Sequence, residues 1–245
     1  MLIQSSAPSP LRSSSLSSQP KAEKAERDIV DSIDEFIKGN EKALLGGTLG
    51  AAAYVGAAAY PSTWAHEMGH AIAIEKLYTN GQPTVEVFPF EGGVTRWRPS
   101  ELTPLGEKFG KDGARAMVAA SGTLVDIGIS TTAFGAGFAL RKKSPIVGHA
   151  LMGYGAMTML NSVMYAGSAV GANLGSLSAT GNDFATIGVK AGIPPIASMA
   201  ILASILPLQY VAMRALEGNE EAASEAKPRS VFEPAPNLSP QLAMA

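Results

Sequence analysis

The chain has no cysteine, so it carries no disulfide framework and no thiolate metal ligand. It is also short of charge. Asp, Glu, Lys and Arg make up 16% of its 245 residues, against about 25% in an ordinary soluble domain. The deficit is concentrated. Ala43 to Ala65 holds no charged residue, Ala116 to Leu140 holds only Asp126, Ser144 to Asn182 holds none besides His149, and Ala191 to Met213 holds none. A membrane-spanning helix needs about 20 apolar residues, and these four stretches meet that length. They are rich in Ala, Gly, Ser and Thr rather than Leu and Ile, a composition that lets helices approach closely in a bilayer. The competing reading is a soluble helical protein with Ala-rich buried helices. Four such stretches are hard to bury in a soluble domain of this size. A net charge of −2, with no basic stripe interleaved with aromatics, gives no argument for nucleic acid as a partner. The fold class that follows is mainly α, a polytopic helical bundle of about four spans in a lipid bilayer.

The flanks differ in character. Residues 1–20 are rich in Ser and Pro and are predicted to be disordered. They lack the apolar core of a secretory signal. Their Ser content weakly resembles an organelle transit peptide, and a flexible tail is the preferred reading. Residues 21–42 predict an amphipathic helix with Ile29, Ile33, Phe36 and Ile37 on one face, ended by Gly39-Asn40. The main domain is expected over residues 43–214, and residues 215–245, acidic and then Pro-rich, are predicted to be disordered. Pro61 interrupts the first apolar stretch. Either the chain turns there, with Ser62 or Thr63 capping a new helix, or one helix kinks and runs on to about Tyr78. The kink is preferred. Residues 82–99 alternate around Glu91-Gly92-Gly93 and predict a β-hairpin, and residues 100–113 predict a loop. Apolar helices are expected over residues 114–140, 145–171 and 191–213.

Against this background stands His66-Glu67-Met68-Gly69-His70, an H-E-x-x-H pattern that uses two of the three histidines in the chain. On a helix, positions i and i+4 share a face, so both imidazoles reach one ion. Glu67 is placed to take a proton from a metal-bound water. Catalytic zinc usually has three protein ligands and one open position. His149, Asp126 and Asp183 are the candidates for the third. If the chain crosses once between Ala43 and Tyr78, Asp183 falls on the side of the motif and His149 on the opposite side. That topology puts the N-terminal lysines, Arg141 to Lys143 and Arg214 on one face, which predicts cytoplasmic termini. Arg96, Arg98, Lys108 and Lys111 fall on the other face and count against it. Asp126 lies about 18 Å into its helix at 1.5 Å per residue. An ionisable residue at that depth is a functional candidate or a hydrogen-bonded helix contact.

Three stretches resemble the site-2 protease family of intramembrane zinc metalloproteases. His66 to His70 with the following Ala-Ile-Ala matches that family's H-E-x-G-H start. Ala120 to Asp126 is similar to its G-P-x-x-N stretch, with Thr123 in place of proline and Asp126 in place of asparagine. Gly181 to Ile187, followed by Gly192-Ile193-Pro194, resembles its C-terminal aspartate motif, with Phe184 where glycine is common. The resemblance spans about residues 43–190. It implies Zn²⁺ held by His66, His70 and Asp183, with Glu67 as the catalytic base. It further implies a substrate-orienting asparagine, for which Asn161 and Asn173 are the candidates. The substrates it implies are membrane proteins or peptides. A catalytically inactive membrane scaffold or chaperone of the same fold is the alternative.

Overall fold

The computed structural model describes residues 19–58, 60–98 and 100–225. The predicted N-terminal tail lies almost entirely outside these residues, as does the end of the C-terminal one. Seven helices and one hairpin are found among the described residues. Helix α1 (Gln19–Ala58) contains the amphipathic segment and the first apolar stretch. Gly39-Asn40 was expected to end it but only kinks it: Asn40 leaves helical geometry (φ −123°, ψ 17°). Its Nδ2 donates to the Phe36 carbonyl at 2.9 Å, satisfying a group the kink releases. The apolar run beyond then packs on the protein, and the helix resumes. Ile33, Phe36 and Ile37 of the amphipathic face are exposed, Phe36 by 60%.

Helix α2 (Pro61–Leu77) follows at a bend of 57° to α1. The chain therefore kinks rather than reversing. Pro61 sits where a helix has no use for an N–H. Neither Ser62 nor Thr63 is the cap. Tyr60 holds that position, and the Thr63 hydroxyl reaches back to the Ala58 carbonyl at 3.0 Å. Strands β1 (Thr84–Phe88) and β2 (Gly92–Arg96) form the expected antiparallel hairpin, with Val85 opposite Thr95 and Val87 opposite Gly93.

Helix α3 (Pro104–Leu140) begins inside the predicted loop. Thr103 caps it, its Oγ1 accepting from Gly106 N at 3.1 Å while donating to the Lys76 carbonyl at 2.7 Å. The helix kinks at Gly110, whose φ of 68° suits glycine. Helix α4 (Pro145–Ser168), short α5 (Leu174–Ala179), α6 (Asp183–Ala191) and α7 (Pro195–Glu225) complete the chain.

Helix α4 is central, packed by α1, α3 and α7. Its glycines set the spacing. A β-carbon on Gly153 would stand 2.6 Å from the Gly47 carbonyl oxygen, and one on Gly155 would stand 2.6 Å from that of Ser130. The Ser130 hydroxyl, fully buried, donates to the Gly155 carbonyl at 2.7 Å. One end of the bundle gathers positive charge. Arg141 and Lys142, after α3, and Arg214 of α7 all pair with Glu217. Gly46, four residues after Lys42, lies beside Ile146 and His149 at this same end. The hairpin lies toward the other end, beside α2.

Buried polar side chains accompany the apolar core, and large apolar side chains face outward. Glu67, His70, Asp126, Thr158, Ser162 and Asp183 are buried, while Leu124, Leu208 and Val211 are more than half exposed. Helices α3 and α7 are long and apolar enough to cross a membrane, and the bent α1–α2 pair raises the number to three. These features are consistent with a membrane protein. Helix α4 is long enough but falls short in composition, since it carries His149, Tyr154, Thr158, Asn161 and Ser162.

Candidate metal centre

The H-E-x-x-H pattern falls within α2, and His66, Glu67 and His70 could together hold a metal ion: their ligand atoms lie within 4.8 Å of one another. The fold brings Asp183 to the same point. His66 Nε2 and His70 Nε2 are 3.1 Å apart, and Asp183 Oδ2 is 3.3 Å from each. Asp183 is the first residue of α6, which Asn182 caps by accepting from Ala185 N at 2.9 Å. Phe184, 2% exposed, is packed edge-on against Tyr165 at 5.3 Å and holds the helix down. The Asp183 N–H donates to the Tyr165 hydroxyl at 3.1 Å.

The far side of each imidazole is committed. His70 Nδ1 is 2.7 Å from the Val118 carbonyl oxygen, which can only accept, so this nitrogen carries the proton. His66 Nδ1 is 2.8 Å from Asp126 Oδ2 and donates to it in the same way. Ser162 adds a second donor to that oxygen at 3.3 Å. With both rings neutral, the form that binds a metal, the Nε2 atoms turn lone pairs toward the Asp183 carboxylate. Three electron-rich atoms at such distances repel one another unless a proton or a metal cation lies among them. Helix α3 leaves the room for it. A β-carbon on Gly122 would stand 2.5 Å from His66 Nε2 and 2.6 Å from His70 Nε2.

The site opens on a cavity of about 860 Å³. Tyr54, Ser62 and Asn161 line it from the helices, and Phe90 and Gly93 line it from the hairpin. Glu67 faces β2, where Thr95 Oγ1 lies 2.6 Å from its Oε2.

Of the residues singled out in the sequence, His66, Glu67, His70, Asp126 and Asp183 are drawn together. Asp126 contacts a histidine from behind rather than the convergence point. Asn161 lines the cavity and is exposed there. Asn173 is elsewhere: it caps α5, accepting from Ser176 N at 3.2 Å. His149 is at the basic end, its Nδ1 donating to the Pro145 carbonyl at 2.7 Å. Sequence reasoning missed Gly122, Thr95 and Tyr165, whose roles arise from long-range contact. No family model, curated protein or solved structure matches the chain.

Proposed function

We propose that this protein is an intramembrane zinc metalloprotease that hydrolyses peptide bonds of membrane-associated substrates. The observation that carries the reading is the triangle of His66 Nε2, His70 Nε2 and Asp183 Oδ2, with edges of 3.1, 3.3 and 3.3 Å. A tetrahedral ion with ligand bonds of about 2.0–2.1 Å requires edges of about 3.3–3.4 Å. Two neutral imidazoles and a carboxylate, with no thiolate, suit catalytic zinc. The Asp126–His66 and Val118–His70 hydrogen bonds are the outer contacts such ligands use to fix tautomer and orientation.

Zinc, when bound, supplies a Lewis acid and lowers the pKa of water. The chain's own residues do the rest. Glu67 takes a proton from the attacking water and returns it to the leaving amine nitrogen. The buried surroundings of Glu67 and His70 strengthen these interactions by excluding solvent. Asn161, exposed in the cavity wall, is the asparagine placed to contact substrate. A peptide unwound into extended form can add to an edge of the hairpin. Val87→Pro or Val94→Pro then lowers cleavage with zinc content intact; undiminished cleavage would rule out strand addition.

In the bilayer, the bent α1–α2 pair, the part of α3 beyond Gly110 and α7 make three crossings, and α4, less apolar than these, makes a fourth enclosed among them. The basic end faces the cytoplasm, and both termini are on that side. The competing reading, an inactive scaffold, predicts no phenotype for Glu67→Gln.

The deciding experiment is the zinc content of detergent-purified full chain, wild type beside His66→Ala, Asp183→Ala and Asp126→Ala. About one zinc per chain, lost in the first two variants and kept at excess zinc in the third, supports the ligand set. A wild type that holds no zinc when zinc is supplied overturns the reading.

A further inference from the structure

Strand β2 rests on the catalytic base. Thr95 Oγ1 is 2.6 Å from Glu67 Oε2 and 3.0 Å from the Glu67 carbonyl oxygen. One hydroxyl carries one proton, and the shorter contact, to the carboxylate oxygen, takes it. Two residues earlier, and so on the same face of the strand, Gly93 meets the same side chain. A β-carbon there would stand 2.5 Å from Glu67 Cγ and 2.9 Å from Oε1. Oε2 is thus tethered by a donor while the space beside Cγ and Oε1 is kept open by the absence of a side chain. Glu67 is buried, yet within α2 its neighbours supply no donor to its carboxylate. The hydroxyl comes from the hairpin, 28 residues away.

We propose that Thr95 is a positioning residue for Glu67, and that Gly93 keeps the space in which the base is held. This rests on the metalloprotease reading above. A glutamate carboxylate, on three rotatable side-chain bonds, otherwise samples several rotamers. Fixing one oxygen leaves the other to accept from water without losing rotamer freedom at the moment of reaction. The arrangement makes the base dependent on hairpin register. Thr95 faces Glu67 only while it stands opposite Val85, and a slip of one residue would turn it to the other face.

The test uses zinc-loaded full chain in detergent, with acetohydroxamate as probe. A hydroxamate binds the metal through its oxygens and donates a hydrogen bond to the neighbouring base, so its affinity reports the base's position without turnover. Thr95→Val keeps the shape of the side chain and removes the donor. It is expected to weaken acetohydroxamate binding by about tenfold or more, as outer-contact losses do, with zinc content unchanged. Where a substrate is in hand, kcat falls and KM holds. Thr95→Ser, which restores the donor, binds like the wild type. Gly93→Ala, which leaves the hydroxyl in place but crowds Cγ, weakens binding as Thr95→Val does. Wild-type affinity in Thr95→Val, or equal losses in Thr95→Val and Thr95→Ser, overturns the positioning role while leaving the metalloprotease reading intact. A wild type that holds zinc and ignores acetohydroxamate also overturns the positioning role. A wild type without zinc overturns both.

Discussion

Gly122 marks how little space the candidate centre has. A side chain there would lie against both Nε2 atoms, so the smallest addition, Gly122→Ala, presses a methyl onto both candidate ligand atoms. We expect this variant to keep its helical circular dichroism and lose bound zinc, measured by atomic absorption. Retention of one zinc per chain would place the ion elsewhere. Asp126 acts at the same scale from behind His66. Asp126→Ala removes the acceptor that fixes the imidazole, and should weaken zinc about 10–100-fold while stoichiometry survives at excess zinc. Asp126→Asn, which still presents an oxygen, should fall between the two. An unchanged affinity in Asp126→Ala would make that contact merely structural. His66, Glu67 and His70 were legible because their pattern is local to one helix turn. Gly122 and Thr95 were not, because their partners lie 28 or more residues away and no local periodicity encodes them.

Between elements, one hydroxyl links the end of α2 to the start of α3. Thr103 Oγ1 donates to Lys76 at the end of α2 and accepts from Gly106 at the start of α3. Its main-chain N–H adds a bond to the Leu77 carbonyl at 3.0 Å. Thr103→Ala loses a helix cap and a donor together, and should cost about 1–2 kcal/mol in denaturant titration of the purified protein. Thr103→Ser should recover most of it. A loss shared equally by both variants would assign the effect to the methyl group. The apolar helices and the hairpin were readable from composition and alternation. The start of α3 was not, because Gly106 to Gly113 is polar and glycine-rich and looks like a loop. The cap at Thr103 and the proline after it outweigh that local bias. Gly39-Asn40 erred in the opposite direction. It is a fair stop signal, yet Asn40 satisfies a freed carbonyl and the packing of the following residues on α4 carries the helix through.

At the scale of the whole molecule, His66 and His70 from α2 and Asp183 from α6 meet against Gly122 of α3. A metal ion joining them should stabilise the folded chain by mass action. Removing zinc with a chelator is expected to lower the unfolding temperature, and restoring zinc to recover it. The Glu67→Gln variant should respond as the wild type does. A chelator-insensitive transition would argue against a metal joining these elements. Membranes washed with alkaline carbonate should retain the protein in the pellet. Its release to the supernatant would favour the soluble helical alternative.

His66 and Asp183 are 117 residues apart in the chain. At synthesis rates of 5–20 residues per second, that separation is about 6–23 s. Through this interval the histidines exist without their third partner. On the proposed reading, a nascent chain that has already delivered its H-E-x-x-H helix has no complete centre, and activity waits for α6 to emerge and dock. The order of the ligands along the chain then acts as a timer.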